Sequence, residues 1–310
     1  MDVLHQPLPV ICLAGPTGAG KTAAALLLAQ ELNGEVINAD SRQVYADFPL
    51  ITAQPSPEER AVCPHHLYGF LPTQEKISAG QWAEAALPCI RDILSRGRTA
   101  LLVGGTGLYF QTLLRGIAQI PRLDAAISRR LEARLQREGA PAMHAELARR
   151  DPPYAARIHP NDRQRIVRAL EVLEGTGRTF SWWHENAMGP PPCQGPLLVL
   201  DAPLSWLEPR LARRLEQMLA DGALDEARQA LDRCADENAP GWSGIGAAEA
   251  LACLRGRIPL DECLRLWLLH TRAYAKRQLT WFRARKEAIL LPPDRPAAVL
   301  ARAREHGCKK

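Results

Sequence analysis

Residues 13–27 read LAGPTGAGKTAAALL. Gly15 to Thr22 fit the spacing G-x-x-x-x-G-K-[ST]. Glycines at these positions let successive backbone N–H groups turn inward toward anionic oxygens. The segment that follows, Lys21 to Leu32, is rich in Ala and Leu and reads as a helix, its positive N-terminal end facing the same point. The apolar run before it, PVICLA at 9–14, reads as a buried strand. Strand, loop and helix together define a phosphate-binding loop of Gly15, Pro16, Thr17, Gly18, Ala19, Gly20, Lys21 and Thr22. Lys21 is expected to reach terminal phosphate oxygens and the Thr22 hydroxyl to coordinate Mg²⁺. The motif specifies a polyphosphate; it does not specify ATP.

The chain around the loop sets its context. EVINAD at 35–40 reads as a second strand, 79–97 as a helix, and TALLVGG at 99–105 as a third strand. Strands alternating with helices predict a parallel sheet covered on both faces. Ligands of such sheets sit at the carboxyl ends of the strands. The loop, Asp40 and the Gly104-Gly105-Thr106 turn all lie at those ends and should share one cleft. From 122 to 195 no strand-like run occurs; Arg, Ala, Glu and Leu dominate, and a Pro/Gly cluster at 189–196 closes the segment. LLVLDA at 197–202 reads as a returning strand, and the rest as mostly helical. The expected fold class is therefore α/β. A P-loop NTPase-like parallel sheet with flanking helices occupies 1–121 and 196–310, and an α-helical insertion domain occupies 122–195.

Bulk properties narrow the class further. A length of 310 residues suits one large domain or two modest ones. A net charge of +5 permits a nucleic-acid partner without requiring one. The eight cysteines include no C-x-x-C pair, which predicts reduced thiols rather than a disulfide framework or a zinc site. The apolar run near the N-terminus feeds the loop directly and reads as a strand rather than a signal peptide. No 18-residue apolar run exists, so no membrane span and a cytoplasmic chain are expected.

Asp40, in NADSRQVY, reads equally as a magnesium holder, a helix cap or a general base. Residues 272–286 carry six basic side chains and no acid. On a helix, Leu264, Leu268, Thr271, Ala275, Leu279 and Phe282 form an apolar stripe, with Arg272, Lys276 and Arg283 beside it. That pattern suits phosphate contacts to a nucleic acid or a basic solvated face. RIHPNDRQRIVRALEV at 157–172 offers Arg163, Arg165 and Arg168 to the same partner. The adjacent His65 and His66 should point to opposite sides, which argues against a metal pair. Trp182-Trp183 could stack on bases or serve helix packing.

GPTGAGKT, NADSRQVY, PHHL, VGGTGLY, HPNDRQRIVRALEV and TRAYAKRQLTWFR occur in this order. Together they resemble the tRNA dimethylallyltransferase family from about Pro9 to Arg285. The resemblance implies transfer of a dimethylallyl group from dimethylallyl diphosphate to the exocyclic amine of adenosine 37 in tRNA, with release of pyrophosphate. Asp40 would accept the amine proton, while Thr17, Arg214, Lys21 and the loop N–H groups would meet the leaving group. It further implies that the insertion binds the anticodon stem-loop. Asp40, Ser41, Arg42, Gln43, Thr106, Gln164, Arg165, Ile166, Val167, Arg168, the 243–250 stretch, Lys276, Arg277, Gln278 and Arg283 would face the tRNA. Mg²⁺ at Thr22 and a monomer are implied as well. The chain departs from the family at 46–55, at Ser128, and at Gly246-Ala247-Ala248-Glu249, which lacks the usual Tyr.

Two other classes share the loop. A kinase of a small metabolite would use it with ATP, but nothing in such an enzyme calls for the basic helix at 271–286. A non-catalytic RNA-binding protein would have no use for the intact Lys21, Thr22 and Asp40.

Overall fold

The computed structural model describes residues 6–307. It comprises two compact units, one formed by residues up to Leu114 and from Pro192 onward, the other by Arg115–Pro191. In chain order the elements are β1 (Leu8–Pro9), β2 (Ile11–Ala14), α1 (Lys21–Glu31), β3 (Gly34–Asn38), α2 (Pro57–Val62), β4 (His65–His66), α3 (Ala79–Ser95), β5 (Thr99–Gly104) and α4 (Gly107–Arg115). Then come α5 (Ala125–Glu138), α6 (Ala140–Arg150), α7 (Pro152–Ala155), α8 (Arg163–Thr176) and α9 (Phe180–Asn186). The chain ends with β6 (Cys193–Gln194), β7 (Leu197–Leu200), α10 (Leu204–Ala220), α11 (Ala223–Arg233), α12 (Ala247–Leu254), α13 (Leu260–Arg283), β8 (Ala288–Leu291) and α14 (Pro296–Gly307).

The first unit is built on a six-stranded parallel sheet in the order β4-β3-β5-β2-β7-β8. Every residue of β2, β3 and β7 is buried, as a sheet covered on both faces demands. Ile11 pairs with Leu101 and Cys12 with Leu197, so β2 sits at the centre and delivers the loop to the middle of the sheet edge. The core on this sheet gathers Leu28 of α1, Ala275 and Leu279 of α13, and Val299 and Ala303 of α14.

Two strands had no signal in the sequence. β4 has only two residues and β8 is an edge strand with a half-exposed AILL run, too short or too wet to stand out from helix. Cys193–Gln194, inside the segment read as insertion, pairs in parallel with Leu8–Pro9 in the first unit. Glu35, the second residue of β3, is buried, accepting hydrogen bonds from Arg96, Arg98 and His66. Those bonds hold its carboxyl down to about 2 against the opposing cost of burial.

The second unit is all helical. Its core joins Leu131, Leu135, Met143, Leu147, Ile166 and Leu170. The buried Asp151 carboxylate accepts the Tyr154 and Ser181 N–H groups, tying α7 to α9. Seven cysteines are free thiols; Cys308 lies outside the described residues, as do residues 1–5 of the N-terminal segment. No helix among the described residues is long and apolar enough to cross a membrane.

Candidate active site

The loop turns where its glycines allow. Gly18 and Gly20 hold φ of 81° and 86°, a region that side-chain-bearing residues avoid. Lys21 opens α1 and donates its ammonium back to the carbonyls of Gly15 and Pro16 at 3.0 and 2.9 Å. Burial lowers its pKa to about 8, with the Asp40 charge opposing and Arg214 adding to the fall. Thr22 follows in the first helical turn, exposed to the cleft.

Asp40 stands just beyond the carboxyl end of β3. Its Oδ1 accepts the Arg42 N–H at 2.9 Å. Its Oδ2 faces Gly105, where an added Cβ would lie 3.3 Å from that oxygen and 2.1 Å from Gln278 Nε2. The backbone at 105 can approach so closely only because it carries no side chain. Ser41 donates its N–H to Thr106 Oγ1 at 2.9 Å, and Thr106 donates to Ser41 Oγ at 3.1 Å. Gln43 is spent on the carbonyls of Thr52 and Ala53, and Arg42 donates to Ser243 Oγ at 3.0 Å.

α10 supplies the opposite wall. Arg210, Arg213, Arg214 and Gln217 follow one another at helical spacing and all line the cleft. Arg214 Nη1 lies 3.5 Å from Thr17 Oγ1. Burial weakens its hold on its proton, while Asp40 and Glu59 strengthen it. Arg210 stacks on Trp206 at 4.2 Å. Arg210 and Arg213 escaped the sequence reading, although the spacing in RLARRLEQ carried the signal. His65 and Tyr68 complete the wall, and His66 turns the other way to Glu35, as strand alternation predicts. Among the described residues no His, Cys, Asp and Glu cluster could hold a metal by itself.

The cleft has a volume of about 490 Å³. A second pocket of about 240 Å³ adjoins it, walled by Ile51, Leu211, Leu215, Met218, Ile245 and Trp267. Thr17, Asp40, Thr52 and Arg214 line both. Lys21, Arg210, Arg213 and Arg214 make the first cavity cationic; the second sets its apolar wall against Arg42, Arg214 and Arg277, and the Asp40 carboxylate lines both. Such a site suits a diphosphate joined to a small apolar group.

Several residues expected to face a nucleic acid stand elsewhere. Gln278 is buried: its Oε1 accepts the Thr17 N–H at 2.9 Å and its Nε2 donates to Gly105 O at 3.0 Å. It is a strut between the phosphate loop and the end of β5, with no free end for a base. Ile166 and Val167 belong to the core of the second unit, since α8 must bury one face, whereas Gln164, Arg165 and Arg168 are exposed. On α13, Ala275, Leu279 and Phe282 are buried as expected, but Trp267 rather than Leu268 is the buried residue two turns earlier. Arg272 is paired with Glu208 and Arg283 with Asp201, at 2.5 and 2.7 Å. Lys276 is exposed, and Arg277 lies over the Tyr274 ring at 5.6 Å and lines the smaller pocket. Trp182 and Trp183 meet edge to face at 5.2 Å, and Arg178 lies 5.0 Å from the Trp182 ring.

Fold and site thus define a phosphate-binding-loop α/β protein whose loop opens onto an apolar pocket. The family model described as IPP transferase matches residues 43–285, and the chain belongs to that family. It is 70% identical to the tRNA dimethylallyltransferase of Desulfovibrio desulfuricans over 96% of this chain and 92% of that one. The protein of the same name from Nitratidesulfovibrio vulgaris is 58% identical over 96% and 93%. Among solved structures, the full-length tRNA isopentenylpyrophosphate transferase of Bacillus halodurans superposes with a TM-score of 0.70 at 33% identity, covering 95% of each chain. A eukaryotic dimethylallyltransferase acting on tRNA gives 0.77 at 31% identity, covering 96% of this chain and 76% of its own.

Proposed function

We propose that this chain transfers a dimethylallyl group from dimethylallyl diphosphate to the exocyclic amine of adenosine 37 in tRNA. The observation that carries the reading is the shared boundary of the two pockets, where Thr17, Asp40 and Arg214 stand between a cationic cavity and one with an apolar wall. The diphosphate fits the loop and the isoprenoid the apolar wall. The amine attacks the allylic carbon, the carbon–oxygen bond breaks, and pyrophosphate leaves. Asp40 accepts the proton lost from nitrogen. Charge building on the leaving oxygen is met by loop N–H groups, Lys21, Thr17 and Arg214. The target base has to leave its stack to reach Asp40.

The Thr22 hydroxyl, exposed to the cleft, would hold a Mg²⁺ that takes most of its ligands from diphosphate and water, the usual arrangement for this ion. When bound, it would neutralise charge on the pyrophosphate. The second unit, through Gln164, Arg165 and Arg168, supplies contacts to the anticodon arm, and one chain suffices for the reaction.

The test mixes the protein with Mg²⁺, an anticodon stem-loop carrying the target adenosine, and either dimethylallyl diphosphate or ATP. Mass spectrometry of the RNA should show a gain of one five-carbon unit with the first donor only. No gain with full-length tRNA, alongside ATP turnover on a small metabolite, would return the loop to a kinase.

A further inference from the structure

We infer that Asn38 is a positioning residue that presets the carboxylate of Asp40 and couples it to the neighbouring His66–Tyr68 segment that lines the cleft. The inference rests on the reading of Asp40 as the base. Asn38 ends β3 and is fully buried. Its Oδ1 accepts the Asp40 N–H at 2.8 Å, and its Nδ2 donates to the Asp40 carbonyl at 3.0 Å. One side chain therefore holds both peptide groups flanking Asp40. With the nitrogen and carbonyl carbon of a residue fixed, chirality fixes the direction of its Cβ. The Arg42 N–H then holds Oδ1, which leaves Oδ2 as the oxygen aimed at Gly105 and the cleft.

The remaining Nδ2 proton goes to the Leu67 carbonyl at 2.9 Å. Leu67 has φ of 61°, in the left-handed region where a branched apolar residue stays only when its surroundings hold it. It sits between His66, pinned to Glu35, and Tyr68, which lines the cleft. Asn38 is itself anchored, because Trp82 donates its indole N–H to the Asn38 carbonyl at 3.0 Å. Ending a strand needs one bond of this kind. Three bonds from one buried amide, two of them to the residue that carries the carboxylate, set an angle.

The experiment compares Asn38→Ala, Asn38→Ser and Asp40→Asn with the parent chain. Turnover and KM are measured with dimethylallyl diphosphate and the anticodon stem-loop, inorganic pyrophosphate binding by calorimetry, and folding by thermal melting. Serine retains an acceptor for the Asp40 N–H but is too short to hold both carbonyls. We expect Asn38→Ala to lower kcat roughly a hundredfold, the scale of an ångström-sized misplacement. Asn38→Ser should fall about tenfold, and KM and pyrophosphate affinity should stay within about threefold in both. Should the alanine variant not fold, the serine variant carries the test alone. A folded Asn38→Ser with parental kcat overturns the inference, as does a loss of kcat matched by an equal loss of pyrophosphate affinity. Full activity in Asp40→Asn would instead remove the underlying reading of the base.

Discussion

The arginines of α10 and those of the second unit meet different partners. Arg130, Arg134, Arg150, Arg165 and Arg168 in the second unit each face an acid, Glu174, Glu138 and Glu146, Glu146, Asp162 and Glu171 in turn. Arg213 and Arg214 on α10 have no such neighbour among the ion pairs of the described residues, and the carboxylate on their cleft is Asp40. A paired surface cation meets an incoming phosphate with its field partly answered and screened, so Arg165 and Arg168 would have to turn from Asp162 and Glu171 to bind the anticodon arm. An unpaired cation on the wall of a cleft offers nearly its whole charge. The cleft thus suits an anion by what it lacks as much as by what it holds.

Arg214→Gln should test that contrast hardest. It removes the cation that reaches Thr17, and kcat is expected to fall by about 10² to 10³, as when one preorganised donor to a developing charge is lost. Pre-steady-state measurement with saturating donor would read it directly. A fall below tenfold would mean that the cleft does not depend on its unpaired cations. The pH dependence comes next. Lys21 is charged below about 8 and neutral above. Donor kcat/KM should therefore decline above about pH 8, approaching tenfold per unit. The sign for stability is opposite. The folded pKa lies below the unfolded value, so the unfolded chain binds more protons between about 8 and 10.5, and the ligand-free protein gains stability as pH rises through that window. Lys21→Arg should abolish the alkaline limb, since a guanidinium does not titrate there.

The two halves of the site differ in how much of them the sequence exposes. The loop is a run of eight consecutive residues with fixed glycines and a Lys-Thr end, so its spacing alone announces it. The sheet was readable too, because β2, β5 and β7 carry continuous apolar runs between helices, and β3 keeps an apolar Val36-Ile37 centre. What surrounds Asp40 was not readable. Gln278 reaches the loop from 261 positions away, and nothing in AKRQLTWFR distinguishes an inward glutamine from an outward one. Asn38 opens NADSRQVY, but nothing in that run shows that its amide is buried against Asp40 and Leu67. Arg272 and Arg283 looked like free charges because Glu208 and Asp201, their partners, lie far off in sequence. Local chemistry is legible in a motif; a side chain's partner is a property of the fold.

Arg213 makes a subtler test. It is exposed, but it faces the cleft without an acid beside it. Arg213→Gln should weaken pyrophosphate binding by about three- to fivefold at low salt, with the difference shrinking as salt rises. Calorimetry at two ionic strengths reads both numbers. An unchanged affinity would confine the useful cations to Lys21 and Arg214.

The smallest effect sharpens the comparison most, because it sets paired against unpaired cations on a single helix. Lys276 and Arg283 lie on one exposed side of α13, yet only Arg283 has an acid, Asp201, within 2.7 Å. If unpaired charge is what recruits RNA, Lys276→Gln should reduce the magnitude of the salt slope of tRNA binding by about 0.7 to 0.9, the value of one phosphate contact. Arg283→Gln should change it less, and because it frees Asp201 to repel phosphates it should still weaken binding at low salt. Equal slopes for the two variants would mean that Asp201 yields Arg283 to the RNA. The ion pair would then be a resting place for that side chain, and pairing in the free protein would not predict which cations a nucleic acid can claim.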